Sequence, residues 1–226
     1  MSAIRRLALF DLDGTLTPLD TEVEWANLLG ERGLIDPAPH REFSAAYHRG
    51  ELDLDAYFEW YAGVLRAASL DEFERLRDEL VRERMLPSVP GVAREWIASA
   101  LTQADAVLLV TASNWFLTEP FGRALGFTDT LGTRYEEHDG RFTGARLGEP
   151  CFREGKLAHV CAWLEHRGSR FEALEHSSFA TDSHNDLPLL EAVHEAVVVD
   201  PDPILLREAE GRGWERRTLG DRVHGG

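Results

Sequence analysis

The amino-acid sequence predicts an α/β fold: a doubly wound parallel sheet with a helical cap domain inserted into it. Three observations carry that reading. Short apolar runs recur at residues 7–10, 106–110, 178–180 and 196–199, and each stops at a polar or acidic residue, as strands buried on both faces do. Between the runs the apolar spacing turns to three and four, the period of helices that cover a sheet. One long stretch, residues 21–84, keeps helical patterning throughout and holds no strand.

Taken in order, the run Leu7-Ala8-Leu9-Phe10 ends at Asp11, which places polar groups at the carboxyl end of the first strand. In the stretch that follows, Val23, Ala26, Leu28 and Leu29, then Tyr57, Phe58, Tyr61, Val64 and Leu65, lie on apolar faces. Breaks at Gly33, at Pro37 and Pro39, and at Gly50 divide it into several helices. Residues 70–86 form a further helix whose many Glu and Arg residues describe a solvated face. Pro87 and Pro90-Gly91 close the insertion, so the expected core domain spans 1–16 and 88–226 and the cap 17–87. Residues 92–101 predict an amphipathic helix leading to the second strand, which ends in a polar cluster from Thr111 to Asn114. Tyr135, Asp139-Gly140, Phe142 and Gly144 predict a hairpin with an Asp-Gly turn. A helix over 155–166 precedes the last two strands, and the tail after Leu219 is expected to fray. Helical spacing places Trp25, Phe58 and Trp60 in the cap core, with a substrate entrance or dimer interface as the alternatives.

At 226 residues the chain is long enough for one sizeable core and a smaller accessory domain. Its formal charge of −16 argues against coating nucleic acid or an anionic membrane. No apolar stretch reaches the roughly 18 to 20 residues needed to span a bilayer, and the expectation is a cytoplasmic protein, monomer or homodimer. Cys151 and Cys161 lack metal-binding spacing and read as buried thiols. Of the 24 basic residues only Lys156 is a lysine. A compact ammonium kept in an otherwise arginine-using chain singles that position out, because the two residues do not substitute for each other in a tight site.

Four features converge on phosphoryl transfer. Asp11 and Asp13 stand two apart just after a strand, with Gly14 permitting a tight turn. Alone such a pair is equally a calcium site, a cap or a solvated turn. Asp182 and Asp186 follow another strand. Four carboxylates at one sheet edge repel unless a cation lies among them, and hard oxygen donors suit Mg²⁺. Lys156 begins a helix, whose amino end favours an anion, and Thr111 offers a hydroxyl at the end of the second strand.

With its motifs FDLDGTLT at 10–17, VTAS at 110–113, Lys156 within CFREGK and TDSHNDLPLL at 181–190, the chain resembles the haloacid dehalogenase superfamily in its phosphoserine-phosphatase-like subfamily IB. The resemblance covers most of the chain and implies a Rossmann-like core. It further implies that Asp11 is the nucleophile and Asp13 the acid and base, with Lys156 and Thr111 offsetting charge on the phosphoryl oxygens and Ser113 near the substrate. Asp11, Asp13, Asp182 and Asp186 would serve Mg²⁺, Asp13 through its backbone carbonyl and Asp186 directly or through water. The chain is similar in look to bacterial members that include histidinol-phosphate phosphatases, and it departs from them at Thr181 and at Ser113-Asn114-Trp115.

The expected substrate is a small phosphomonoester, selected by the cap. Asp20, Glu22, Glu24 and Arg49 are candidates for holding its amino-acid-like part, and Arg153 for meeting an anionic group. The expected function is a Mg²⁺-dependent phosphomonoesterase acting on histidinol phosphate or a phosphoserine-like metabolite. A phosphotransferase or mutase of the same chemistry is the alternative. A non-catalytic phosphoacceptor of the receiver type is more remote, because receivers have no cap and do not need Asp13, and a binding module would not keep the full residue set.

Overall fold

All four apolar runs become strands of one sheet in the structure, a computed structural model that describes residues 4–220. The strands are β1 (Arg6–Phe10), β2 (Ala106–Asn114) and β3 (Asp129–Thr133). After a separate antiparallel hairpin, β4 (Tyr135–His138) and β5 (Arg141–Arg146), come β6 (His176–Thr181), β7 (Glu195–Val199) and β8 (Glu215–Arg217). The sheet order is β3-β2-β1-β6-β7-β8 and every pairing in it is parallel. The chain moves outward from β1 first to one side and then to the other, so the switch point lies at the carboxyl ends of β1 and its neighbours, where such sheets bind ligands.

Both faces are covered, which is why the strands are apolar without alternation. Leu7 and Leu9 point to one face, with Leu108, Val110, Phe179 and Val198, under the helices α7 (Glu154–Glu165) and α8 (Pro203–Arg212). Ala8, Phe10, Val107 and Leu109 point to the other, against α5 (Gly91–Gln103) and α6 (Trp115–Ala124).

The insertion after β1 consists of α1 (Thr21–Glu31), α2 (Ala38–His48), α3 (Leu54–Leu65) and α4 (Leu70–Leu80). Asp20, Asp53 and Ser69 cap α1, α3 and α4 by accepting hydrogen bonds from first-turn amides. α4 runs on through a π-helical turn, Val81–Met85, into Leu86–Ser88. Trp25, Leu28, Leu65 and Phe73 belong to the same buried cluster as Phe10 and Leu109, so helical insertion and sheet share one apolar core. The hairpin stitches them further: Phe142 lies 6.2 Å from the ring of Phe73 and 5.2 Å from that of Phe116. Its turn has Asp139 and Gly140 at φ 49° and 70°, the left-handed pair of a type I′ turn.

Several elements depart from the sequence expectation. β3 and β8 are additional strands and α6 and α8 additional helices, while β2 ends in the polar cluster Thr111 to Asn114 as expected. β3 has buried threonines in place of an apolar run, and β8 is a three-residue edge. α6 carries Pro120 in its interior, which reads as a break. Trp25 is buried as expected, whereas Phe58 and Trp60 are half-buried, Trp60 packing against the core cluster. Cys151 is buried and Cys161 half-buried, so the buried-thiol expectation holds for the first alone. The expected frayed tail lies outside the described residues beyond Gly220. Among the described residues no helix is long and apolar enough to cross a membrane.

Candidate active site

The loop after β1 is built to aim two carboxylates. The Asp11 amide extends the sheet by donating to Ala180 O at 2.9 Å, and the amide of Leu16 donates back to Leu12 O at 2.8 Å, closing a tight turn. Gly14 sits at φ 73°, and a Cβ there would overlap the Asp182 carboxylate. Asp13 is held from both sides. Its Oδ1 accepts from the Thr21 amide (2.8 Å) and hydroxyl (2.5 Å), and its Oδ2 from the Ser113 hydroxyl (2.8 Å). Burial, then the nearby charge of Asp20, pushes the Asp13 carboxyl up to about 8 despite these donors.

Lys156, in the first turn of α7, is 2% exposed and donates to Asp11 Oδ1 at 2.8 Å and Asp186 Oδ2 at 2.7 Å. Burial opposes its charge, but the two carboxylates more than offset that and hold its pKa above the usual lysine range. Gly155 makes this approach possible, since a Cβ there would overlap the Pro150 carbonyl. Thr181 donates its hydroxyl to Asp186 Oδ2 at 2.5 Å and lies 3.4 Å from Asp11 Oδ2. Asp182 receives the Thr15 hydroxyl at 3.3 Å. Burial and the charges of Asp11 and Asp186 push the Asp182 carboxyl well up, and burial, opposed by Lys156, brings Asp186 to about 6. Three carboxylates thus face one ammonium. That surplus of hard, anionic oxygen fits a divalent cation such as Mg²⁺, although among the described residues no three His, Cys, Asp or Glu side chains are already gathered as a closed cage.

At the end of β2, Thr111 accepts the Ser113 amide on Oγ1 at 3.1 Å, and the Ser113 hydroxyl is turned onto Asp13. The Asn114 amide donates to Glu22 Oε1 at 2.7 Å, which ties α1 to the strand end. Burial raises the Glu22 carboxyl from 4.5 to about 7, with the Asn114 amide and the Tyr61 hydroxyl favouring the charged form but not offsetting it.

A cavity of about 300 Å³ opens at these groups, lined by Asp11, Asp13, Thr111, Ser113, Lys156, Asp182 and Asp186, and also by Asp20, Glu22 and aromatic rings. Asp20 already accepts from the Val23 amide and the Ser44 hydroxyl. The structure does not bring the remaining candidates there. Arg49 is exposed and paired with Glu51, and Glu24 pairs with Arg84. Arg153, exposed, donates to Asn185 Oδ1 at 3.0 Å beside the Phe152 ring. Conversely, Thr21, His40 and Tyr47 were not singled out by the sequence reading. Thr21 was within reach as the first residue of a capped helix just after the acidic loop. His40 and Tyr47 carry no local signal, and only the tertiary packing of α2 brings them to the cavity; the Tyr47 hydroxyl meets Ser183 Oγ at 3.2 Å.

A parallel sheet with two carboxylates on the loop after its central strand, a buried lysine and a second acidic loop defines a hydrolase of the phosphoryl-transfer kind. Residues 8–191 match the model of the haloacid dehalogenase-like hydrolases, and the chain belongs to that family. It is 34% identical to a histidinol-phosphatase of Neisseria meningitidis serogroup C (strain 8013), over 93% of this chain and 97% of that one. A Bordetella pertussis Tohama I structure of unknown function superposes with a TM-score of 0.88 at 40% identity, covering 95% of this chain and 99% of that one. A phosphoserine phosphatase solved as a phospho-aspartyl intermediate analogue shares the fold, with a TM-score of 0.69 at 18% identity over 97% and 95% of the two chains. Within the family the chain is an enzyme of the phosphatase class.

Proposed function

We propose that the protein is a Mg²⁺-dependent phosphomonoesterase that hydrolyses a small, amine-bearing phosphorylated metabolite, such as histidinol phosphate or a phosphoserine-like ester, through a phosphate carried on Asp11. The observation that carries this reading is the geometry of the acidic loop. Asp11 is gripped by Lys156 on Oδ1, and Asp13, two residues on, is fixed by Thr21 and Ser113 in the lining of the same cavity.

In the first step a carboxylate oxygen of Asp11 attacks phosphorus as the bond to the leaving oxygen breaks, and Asp13, whose raised pKa keeps a proton on it near neutrality, gives that proton to the leaving alcohol. In the second, Asp13 takes a proton from water, whose oxygen attacks the same phosphorus. The bond to Asp11 then breaks, releasing inorganic phosphate. Lys156 and Thr111 sit where negative charge builds on the phosphoryl oxygens. Asp11, Asp182 and the Asp13 carbonyl would hold Mg²⁺, with Asp186 supporting; when bound, the ion neutralises phosphate charge and orients it. Residues 17–87 act as the cap that chooses the alcohol. The phosphatase relatives favour water over a second alcohol as acceptor.

Phosphate release from a panel of phosphorylated metabolites, with Mg²⁺ and with EDTA, tests this. Asp11→Asn should remove metal-dependent turnover by at least about 10³-fold, as loss of a nucleophile does. Activity surviving in Asp11→Asn would assign the nucleophile elsewhere.

A further inference from the structure

Glu22 and His40 are the cavity side chains whose buried polar atoms have no hydrogen-bond partner among the described residues. Glu22 is 8% exposed and spends Oε1 on the Asn114 amide; the Tyr61 hydroxyl is near enough to favour its charge, yet Oε2 has no hydrogen-bond partner among the described residues. His40, from α2, is 4% exposed and stands edge-on to the rings of Tyr57 (6.1 Å) and Trp60 (5.3 Å), with neither ring nitrogen satisfied. A buried polar atom left bare costs roughly 1–3 kcal/mol, and such atoms call for a ligand or water that the protein itself does not provide.

Charge decides which ligand. Six acidic side chains line the cavity, Asp11, Asp13, Asp20, Glu22, Asp182 and Asp186, and among the described residues its basic ones are Lys156 and His40. Lys156 is committed to Asp11 and Asp186 at the phosphate end. Among the described residues no arginine reaches the lining, so a carboxylate on the leaving alcohol would find no guanidinium fork there and would face Asp20 and Glu22 instead. A positively charged nitrogen meets the opposite situation, because Phe43, Tyr57 and Tyr135 line the same cavity and aromatic rings attract cations.

We propose that Glu22 and His40 form a recognition subsite for a cationic nitrogen group on the alcohol part of the phosphoester, a protonated amine or nitrogen heterocycle held among aromatic rings, and that the subsite rejects esters bearing a carboxylate there. Glu22 Oε2 accepts from the N–H of that group, and a His40 ring nitrogen completes its hydrogen bonding. This rests on the phosphomonoesterase reading and narrows it from amine-bearing metabolites in general to those without a carboxylate.

The test compares phosphate release from four esters: histidinol phosphate, O-phosphoethanolamine, O-phosphoserine and glycerol phosphate. O-phosphoserine is O-phosphoethanolamine with a carboxylate added, so that pair isolates the rejection. Wild-type kcat/KM should be at least about tenfold higher on O-phosphoethanolamine than on O-phosphoserine, and higher on histidinol phosphate than on glycerol phosphate, tenfold being the value of one charge-assisted contact. Glu22→Gln and His40→Phe should each lower kcat/KM on histidinol phosphate at least about tenfold more than on glycerol phosphate, chiefly through KM. A wild type that prefers O-phosphoserine or glycerol phosphate overturns the subsite, and so do variants that lower all four esters alike. The wild-type comparison decides even where a variant fails to fold. Absence of turnover on every ester overturns the hydrolase reading itself.

Discussion

Glu22 ties ligand recognition to the proton balance of the folded chain. Its carboxyl is raised from 4.5 to about 7 by burial, so the native state holds this proton more tightly than the unfolded chain does. The resulting stability is fully present below pH 4.5 and is lost as pH rises through 7, by up to roughly 3 kcal/mol. Urea unfolding of the metal-free protein at pH 5 and pH 8 should show it as a stability difference between wild type and Glu22→Gln that moves in favour of the glutamine variant as pH rises. Parallel pH profiles for the two proteins would contradict it. At this scale the residues that handle the phosphate were the legible ones. Asp11, Asp13, Lys156, Asp182 and Asp186 are anchored to strand ends and one helix start, so local pattern reveals them. His40 has no such anchor. A histidine on a helix between a proline-rich break and Gly50 looks like any other until α2 is folded against α3.

Among the elements, the β4–β5 hairpin has a role out of proportion to its length. Phe142 inserts between Phe73 of α4 and Phe116 of α6, and the Leu70 amide donates to the Gly140 carbonyl at 2.8 Å. Phe142→Ala should therefore cost about 3–4 kcal/mol, as removal of a buried ring does, and it should loosen α4 as well as the hairpin. Chemical denaturation and amide exchange of the α4 segment measure the two effects. The hairpin was legible because Asp139-Gly140 is a turn signal that works over four residues. β3 and β8 were not, because neither has a hydrophobic pattern of its own. β3 is a strand because Gly132 lets it pass the backbone of Ser113 and Trp115, where a Cβ would come within 2.9 Å of Ser113 O. That is a tertiary fact with no local signature. α6 holds Pro120 in its interior at the loss of one helical hydrogen bond, and Phe116, Leu117 and Phe121 of the same helix are buried.

For the whole molecule, the division of the sequence at residues 17 and 87 marks an insertion in the chain but not a gap in the core. One buried cluster runs from Phe10 and Leu109 through Leu16 and Trp25 to Leu65 and Phe73. Such continuity predicts a single cooperative unfolding transition. Far-ultraviolet circular dichroism, which follows every helix, and tryptophan fluorescence, which reports on Trp25 and Trp60 in the insertion together with Trp96, Trp115, Trp163 and Trp214 outside it, should give coincident thermal curves. Separated curves would mean that the helices melt on their own. The sole lysine of this chain carries a different consequence. Lys156 is buried between Asp11 and Asp186, and the sequence holds no second lysine. Lysine enriched in nitrogen-15 at the side chain therefore introduces a single spectroscopic reporter. Its one ammonium resonance comes from the lining of the cavity, free of overlap from any surface amine.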